Sequence, residues 1–126
     1  MIQTHQNGAV AESMVQTELY QQGCAVSVPA SEEPYDLIAD VDGELFKVQV
    51  KSMFTRESNG ATRYRAELRP TSRDGKARYS NDNVDAFALY NAAYNQVYWL
   101  WFDEAPATEA CRKLESWQKH SLHRKI

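Results

Sequence analysis

No apolar run in this chain approaches the length of a membrane span. The opening residues Met1-Ile2-Gln3-Thr4-His5-Gln6 do not read as a signal peptide. Only two cysteines occur, Cys24 and Cys111, too few for a disulfide framework, so a cytoplasmic, reducing setting is expected. Repeats and low-complexity segments are absent. So are a Ser-His-Asp ordering, a phosphate-cradling glycine loop, a G-x-S-x-G and an H-E-x-x-H. His120 and His123 make an H-x-x-H on a basic tail, without the matched cysteines a zinc site needs. Most telling, the first 46 residues hold no lysine or arginine at all.

What is present is a charge asymmetry on a folding-competent background. A length of 126 residues suits one domain, spanning 1–126, able to bury roughly two thirds of the surface of its unfolded chain. Apolar residues at 43% and aromatics at 11% indicate a globule rather than a disordered chain. The net charge is −3, but residues 1–46 carry eight acids and no base, whereas residues 47–78 carry nine bases against three acids. An acidic pocket beside a basic stripe suits a protein that gathers a divalent metal and then a phosphate backbone. Arginines that merely solvate a sheet edge are the bland alternative.

The sharpest local pattern is Pro34-Tyr35-Asp36-Leu37-Ile38-Ala39-Asp40-Val41, then Asp42-Gly43, then Glu44 to Ser52 with Gln49-Val50-Lys51 near its end. Asp-Gly between two alternating runs predicts a two-residue hairpin turn. Facing residues then have numbers summing to 85, which sets Asp36 opposite Gln49, with Cβ atoms about 4.5–5.5 Å apart. Lys51, two residues on, projects from the same face as Gln49. Leu37, Ala39, Val41, Phe46, Val48 and Val50 share the other, apolar face, so a slip by one residue would bury charges and expose valines. Two readings fit the polar face: an ordinary solvated acid–lysine pair, or a metal site with a lysine beside it.

The remaining elements read as α/β. A helix is expected over about 8–22, stopped by Gly23. Glu12, Val15 and Leu19 share one stripe of it, so Glu12 either leans toward Asp36 or simply sits in the first turn, where the helix dipole favours an acid. Glu18 also lies toward the apolar side, with no reason visible in the sequence. Strands follow at 24–28, 35–41, 44–53 and 61–68, the last extending the same sheet. A polar loop over 69–83 precedes strands at 85–90 and 96–102, and Pro106 opens a final helix to about His120. The aromatic run Tyr98-Trp99-Leu100-Trp101-Phe102 reads as core or subunit contact rather than as a base-stacking platform.

The helix with Glu12, then Pro34-Tyr35-Asp36, then Gln49-Val50-Lys51, resembles the core of the PD-(D/E)xK nuclease superfamily. Within it, the spacing and the Gln in place of the usual second acid are similar to the small homing-endonuclease branch carried in cyanobacterial group I introns. The resemblance implies a restriction-endonuclease-like α/β fold, a mixed central sheet flanked by helices. It implies a Mg²⁺-dependent endonuclease, with Mn²⁺ as a substitute, acting on double-stranded DNA as a homodimer or homotetramer. Asp36, Glu12, Gln49 and the Val50 carbonyl would hold the metal, and Lys51 would serve the attacking water and the scissile phosphate. Gln49 carries one negative charge fewer than the usual acid and should weaken metal binding. Arg56, Arg63 and Arg65, with Arg69, Arg73, Lys76 and Arg78 of the 69–83 loop, are the expected DNA contacts. A Holliday-junction resolvase and a non-catalytic DNA-binding protein that retains the fold are the alternatives.

Overall fold

Two positive-φ residues, Asp42 (53°) and Gly43 (89°), fold the chain back on itself and align the acidic half against the first basic strand. The computed structural model describes residues 3–69 and 79–125. In chain order they form α1 (Gln3–Gln21), β1 (Ala25–Ser27), β2 (Leu37–Val41), β3 (Glu44–Ser52), β4 (Phe54–Ser58), β5 (Ala61–Glu67), β6 (Ala86–Asn91), β7 (Gln96–Trp101), β8 (Glu109–Lys113) and α2 (Leu114–Trp117). A five-stranded sheet has the order β1-β2-β3-β6-β7, and a three-stranded sheet the order β4-β5-β8. The larger sheet is mixed: β3 and β6 run parallel and its other pairs antiparallel.

The hairpin register is the expected one, from Val41 opposite Glu44 to Leu37 opposite Val48. Alternation decides it. Leu37, Ala39, Val41, Val48 and Val50 are buried on one face against Ala11, Val15 and Leu19 of α1. That helix begins at Gln3, earlier than Asn7-Gly8 suggests. It ends where Gly23 takes φ 80°, with Cys24 N–H donating to Leu19 O at 2.9 Å and Gly23 N–H to Tyr20 O at 3.0 Å. This double bond pattern with a left-handed glycine satisfies carbonyls that the last turn leaves open.

Asp85 fastens the parallel crossover. Its carboxylate accepts from Lys47 N–H at 2.8 Å, and its own N–H donates to Lys47 O at 2.8 Å. The opposite face of the sheet, with Phe87, Leu89, Tyr98 and Leu100, packs on Tyr64, Ala66, Ala110 and Trp117. Trp117 is fully buried, donates its indole N–H to Tyr64 O at 2.8 Å, and stacks on Tyr98 with ring centroids 5.9 Å apart.

Two expectations are corrected here. The 61–68 strand does not extend the central sheet: β5 pairs with β4 and β8 in the second sheet. Asn59 (φ 51°) and Gly60 (φ 74°) form the β4–β5 turn, a second Asn-Gly hairpin signal masked by the polar run Thr55-Arg56-Glu57-Ser58. Nor is 106–120 one helix. Glu109–Lys113 is a strand because β5 offers it an open edge, and only the four residues of α2 keep helical form. The central sheet thus has α1 on one face and a second sheet with α2 on the other. The aromatic strand β7 is core: Tyr98, Trp99, Leu100 and Trp101 are all buried.

Candidate active site

The hairpin ladder stops at Leu37, and Asp36 stands in the bend just outside it. Its N–H donates to Val48 O at 2.9 Å, while its Oδ2 accepts the Val50 N–H at 2.8 Å. Asp36 is therefore not a ladder partner of Gln49, as the register alone suggests. Its short carboxylate competes for the amide that one more strand residue would have engaged. A strand residue turns its N–H and C=O to the same edge, so the Val50 carbonyl looks out on the side where Asp36 stands.

Glu12 reaches the same carboxylate from α1. Both acids are half-buried, and both hold their protons more tightly than usual. For Glu12 the causes are burial first, then the Asp36 charge and a hydrogen bond to it. For Asp36, burial dominates, opposed by the Val50 amide, the Glu12 hydrogen bond and the Lys51 charge. Two neighbouring carboxyls in a half-dry corner disfavour being charged together, and a cation between them would offset that repulsion.

Lys51 closes the group from β3. Its Nζ donates to Arg69 O at 3.2 Å and lies 5.3 Å from the centroid of the Tyr79 ring. Burial lowers its pKa, with Asp36 and Glu67 pulling the other way. Gln49 is half-buried one strand position before Val50, across from Phe87 of β6. Glu12, Asp36 and Lys51 are thus brought together, and Val50 and Gln49 adjoin them. Among the described residues no group of three or more His, Cys, Asp or Glu side chains is placed to hold a metal ion. Glu12 and Asp36 offer carboxylate oxygens, donors of the kind a hard cation that keeps several waters takes.

Sequence reasoning missed two neighbours of Lys51. Glu67 is an acid beside it, held by Arg69 through bonds of 2.7 and 3.2 Å. Tyr79 lay inside what reads as a polar loop. Alternation sets Glu67 on one face of a strand with Arg63 and Arg65, but nothing in the sequence points it or Tyr79 toward Lys51.

The arginines divide. Arg56, Arg63 and Arg65 share the outer face of the small sheet, and Lys113 pairs opposite Arg63. Arg56 is bound to Glu109 through bonds of 2.8 and 3.2 Å, and Arg65 reaches the same carboxylate at 3.3 Å. Arg69 is engaged with Glu67. Arg73, Lys76 and Arg78 lie outside the described residues.

A helix over a mixed sheet, an acid at the mouth of a hairpin and a lysine on its second strand define a nuclease-type core. The sequence profile of the PD-(D/E)XK endonuclease family matches residues 2–125, and the chain belongs to that family. It is similar to the solved structure of a bacterial homing endonuclease, I-Ssp6803I, with a TM-score of 0.71 and 26% identity over 90% of this chain and 77% of that one. Among curated proteins nothing matches. No helix among the described residues is long and apolar enough to cross a membrane.

Proposed function

We propose that the chain is a divalent-metal-dependent DNA endonuclease of homing type, cutting both strands at a specific sequence by phosphodiester hydrolysis. The observation that carries this reading is the placement of Asp36 between Glu12 and Lys51. Family membership and the likeness to a homing endonuclease support it.

Glu12, Asp36, Gln49 and the Val50 carbonyl would hold the metal, Mg²⁺ with Mn²⁺ as substitute. When bound, the ion supplies Lewis-acid polarisation and a more acidic water. The Val50 amide fixes the Asp36 carboxylate, so the acid is oriented before substrate arrives. Lys51, with its pKa lowered by burial, serves the proton of the attacking water and offsets charge on the scissile phosphate. Water adds to phosphorus as the bond to the 3′ oxygen breaks, leaving a 5′-phosphate and a 3′-hydroxyl.

Arg56, Arg63 and Arg65 on the small sheet, with Arg69, Arg73, Lys76 and Arg78, would contact double-stranded DNA. A single domain of this size covers a short site, so a homodimer or homotetramer on a near-palindromic target follows. The test is cleavage of plasmid, linear duplex and four-way junction DNA with and without Mg²⁺, alongside Asp36→Ala and Lys51→Ala. Metal-dependent double-strand cuts lost in both variants support the reading. Preference for the junction would make it a resolvase, and no cutting of any substrate would leave a DNA-binding protein.

A further inference from the structure

We propose that the ring of Tyr79 is a positioning element for the Lys51 ammonium, setting the rate of strand cleavage through its π face and not through its hydroxyl. This rests on the endonuclease reading and names a residue that reading does not use. Lys51 Nζ donates to the Arg69 carbonyl at 3.2 Å and also lies over the Tyr79 ring, 5.3 Å from its centroid, within cation–π range. One described flank of the 70–78 segment thus supplies an acceptor and the other an aromatic face.

The ring is itself braced. It packs edge-on against Phe87, with centroids 5.4 Å apart and planes at 76°, and Phe87 is buried in β6. In the β3–β6 register Phe87 lies opposite Gln49 and Leu89 opposite Lys51. The strand pairing that sets Lys51 therefore also sets the wall against which its aromatic neighbour leans. A lysine side chain has four rotatable bonds and loses much freedom when ordered, so a fixed seat shortens its search for the reacting oxygen. The phenol pKa is pushed up to about 12, by burial first and then by the Asp36 charge. The ring therefore stays neutral over the working range, and its face remains open to a cation.

Single-turnover cleavage and DNA affinity of wild type, Tyr79→Leu, Tyr79→Phe and Lys51→Ala test this, with Lys51 side-chain NMR on the metal-free protein. Tyr79→Leu should slow the cleavage step by about tenfold or more at a DNA Kd within about twofold, and Tyr79→Phe should rescue it to within about threefold. In the spectrum, the Lys51 ε-methylene protons should be shifted upfield by the ring, and Tyr79→Leu should abolish that shift. A Tyr79→Leu protein that cuts at the wild-type rate while Lys51→Ala is dead overturns this inference alone. So does Tyr79→Phe failing as badly as Tyr79→Leu, or an unshifted Lys51 signal in wild type. A wild type that cuts nothing, or a fully active Lys51→Ala, instead overturns the endonuclease reading on which the inference stands.

Discussion

The Val50 N–H donates to Asp36 Oδ2 at 2.8 Å, so the carboxylate that faces Glu12 also terminates the β2–β3 hairpin. Fold and chemistry make separable demands on it. Asp36→Asn keeps an acceptor for the amide and should remain within about 1 kcal/mol of wild type in urea unfolding. Asp36→Ala leaves the Val50 N–H without that partner and should cost about 1–3 kcal/mol. Both should lose at least about a hundredfold in metal-dependent cleavage. Equal stability of the two variants would show that the bond does not hold the hairpin.

Gln49→Glu should strengthen metal binding. In the proposed ligand set it would add a formal negative charge to two acids that already hold their protons tightly. In a Mg²⁺ titration followed by thermal shift, the midpoint should fall several-fold relative to wild type. An unchanged or higher midpoint would mean that the residue 49 side chain does not face the ion.

Glu109 restrains two arginines of the outer face, Arg56 and Arg65. Glu109→Gln should free them for phosphate, tighten binding to random duplex several-fold, and steepen the salt dependence by about one to two charges. Arg63→Ala should do the reverse, lowering the slope by about one. A Glu109→Gln protein with the wild-type slope would place DNA elsewhere.

Glu18 supplies the clearest pH effect away from the candidate site. Its carboxylate accepts the Trp99 indole N–H at 2.9 Å, which is why an acid sits toward the core. Burial raises its pKa above the ordinary 4.5, with the Trp99 bond opposing. The folded protein thus binds this proton more tightly than the unfolded chain. Its stabilising contribution is complete below about pH 4.5 and is lost as pH rises through the higher folded value. Glu18→Gln keeps the acceptor without the charge. It should be more stable than wild type at pH 7, with the difference fading toward pH 4, as read from Tm across the range.

The hairpin was legible because three local signals agree there: alternation, an Asp-Gly turn and a buried apolar face opposite α1. Asn59-Gly60 carried the same turn signal, yet β4 is exposed along nearly its whole length and shows no alternation to support it. Without a β4 signal, the alternation of β5 does not say which sheet it joins, and its pairing with β4 and β8 decides that. Glu109–Lys113 failed for another reason: Pro106 and helix-forming residues favour a helix locally, and pairing with β5 overrides that preference. At the site, spacing brought out Asp36 and Lys51 and left Glu12 open between a lean toward Asp36 and a place in the first helical turn. Glu67 and Tyr79 could not be read, because what places them beside Lys51 is the packing of the second sheet and the Phe87 contact, both non-local.

Strand β7 is one border of the five-stranded sheet, and two of its outward amides are already taken. Trp99 N–H donates to His120 O at 2.7 Å, and Trp101 N–H to the Glu104 carboxylate at 3.0 Å, with Arg124 gripping that carboxylate. The other border, β1, is three residues long. Neither offers a usable template for a further strand. Growth of the large sheet from one copy of the chain into another is therefore disfavoured at both its borders, and the exposed strand β4 is left as a border of the small sheet that a further strand could meet.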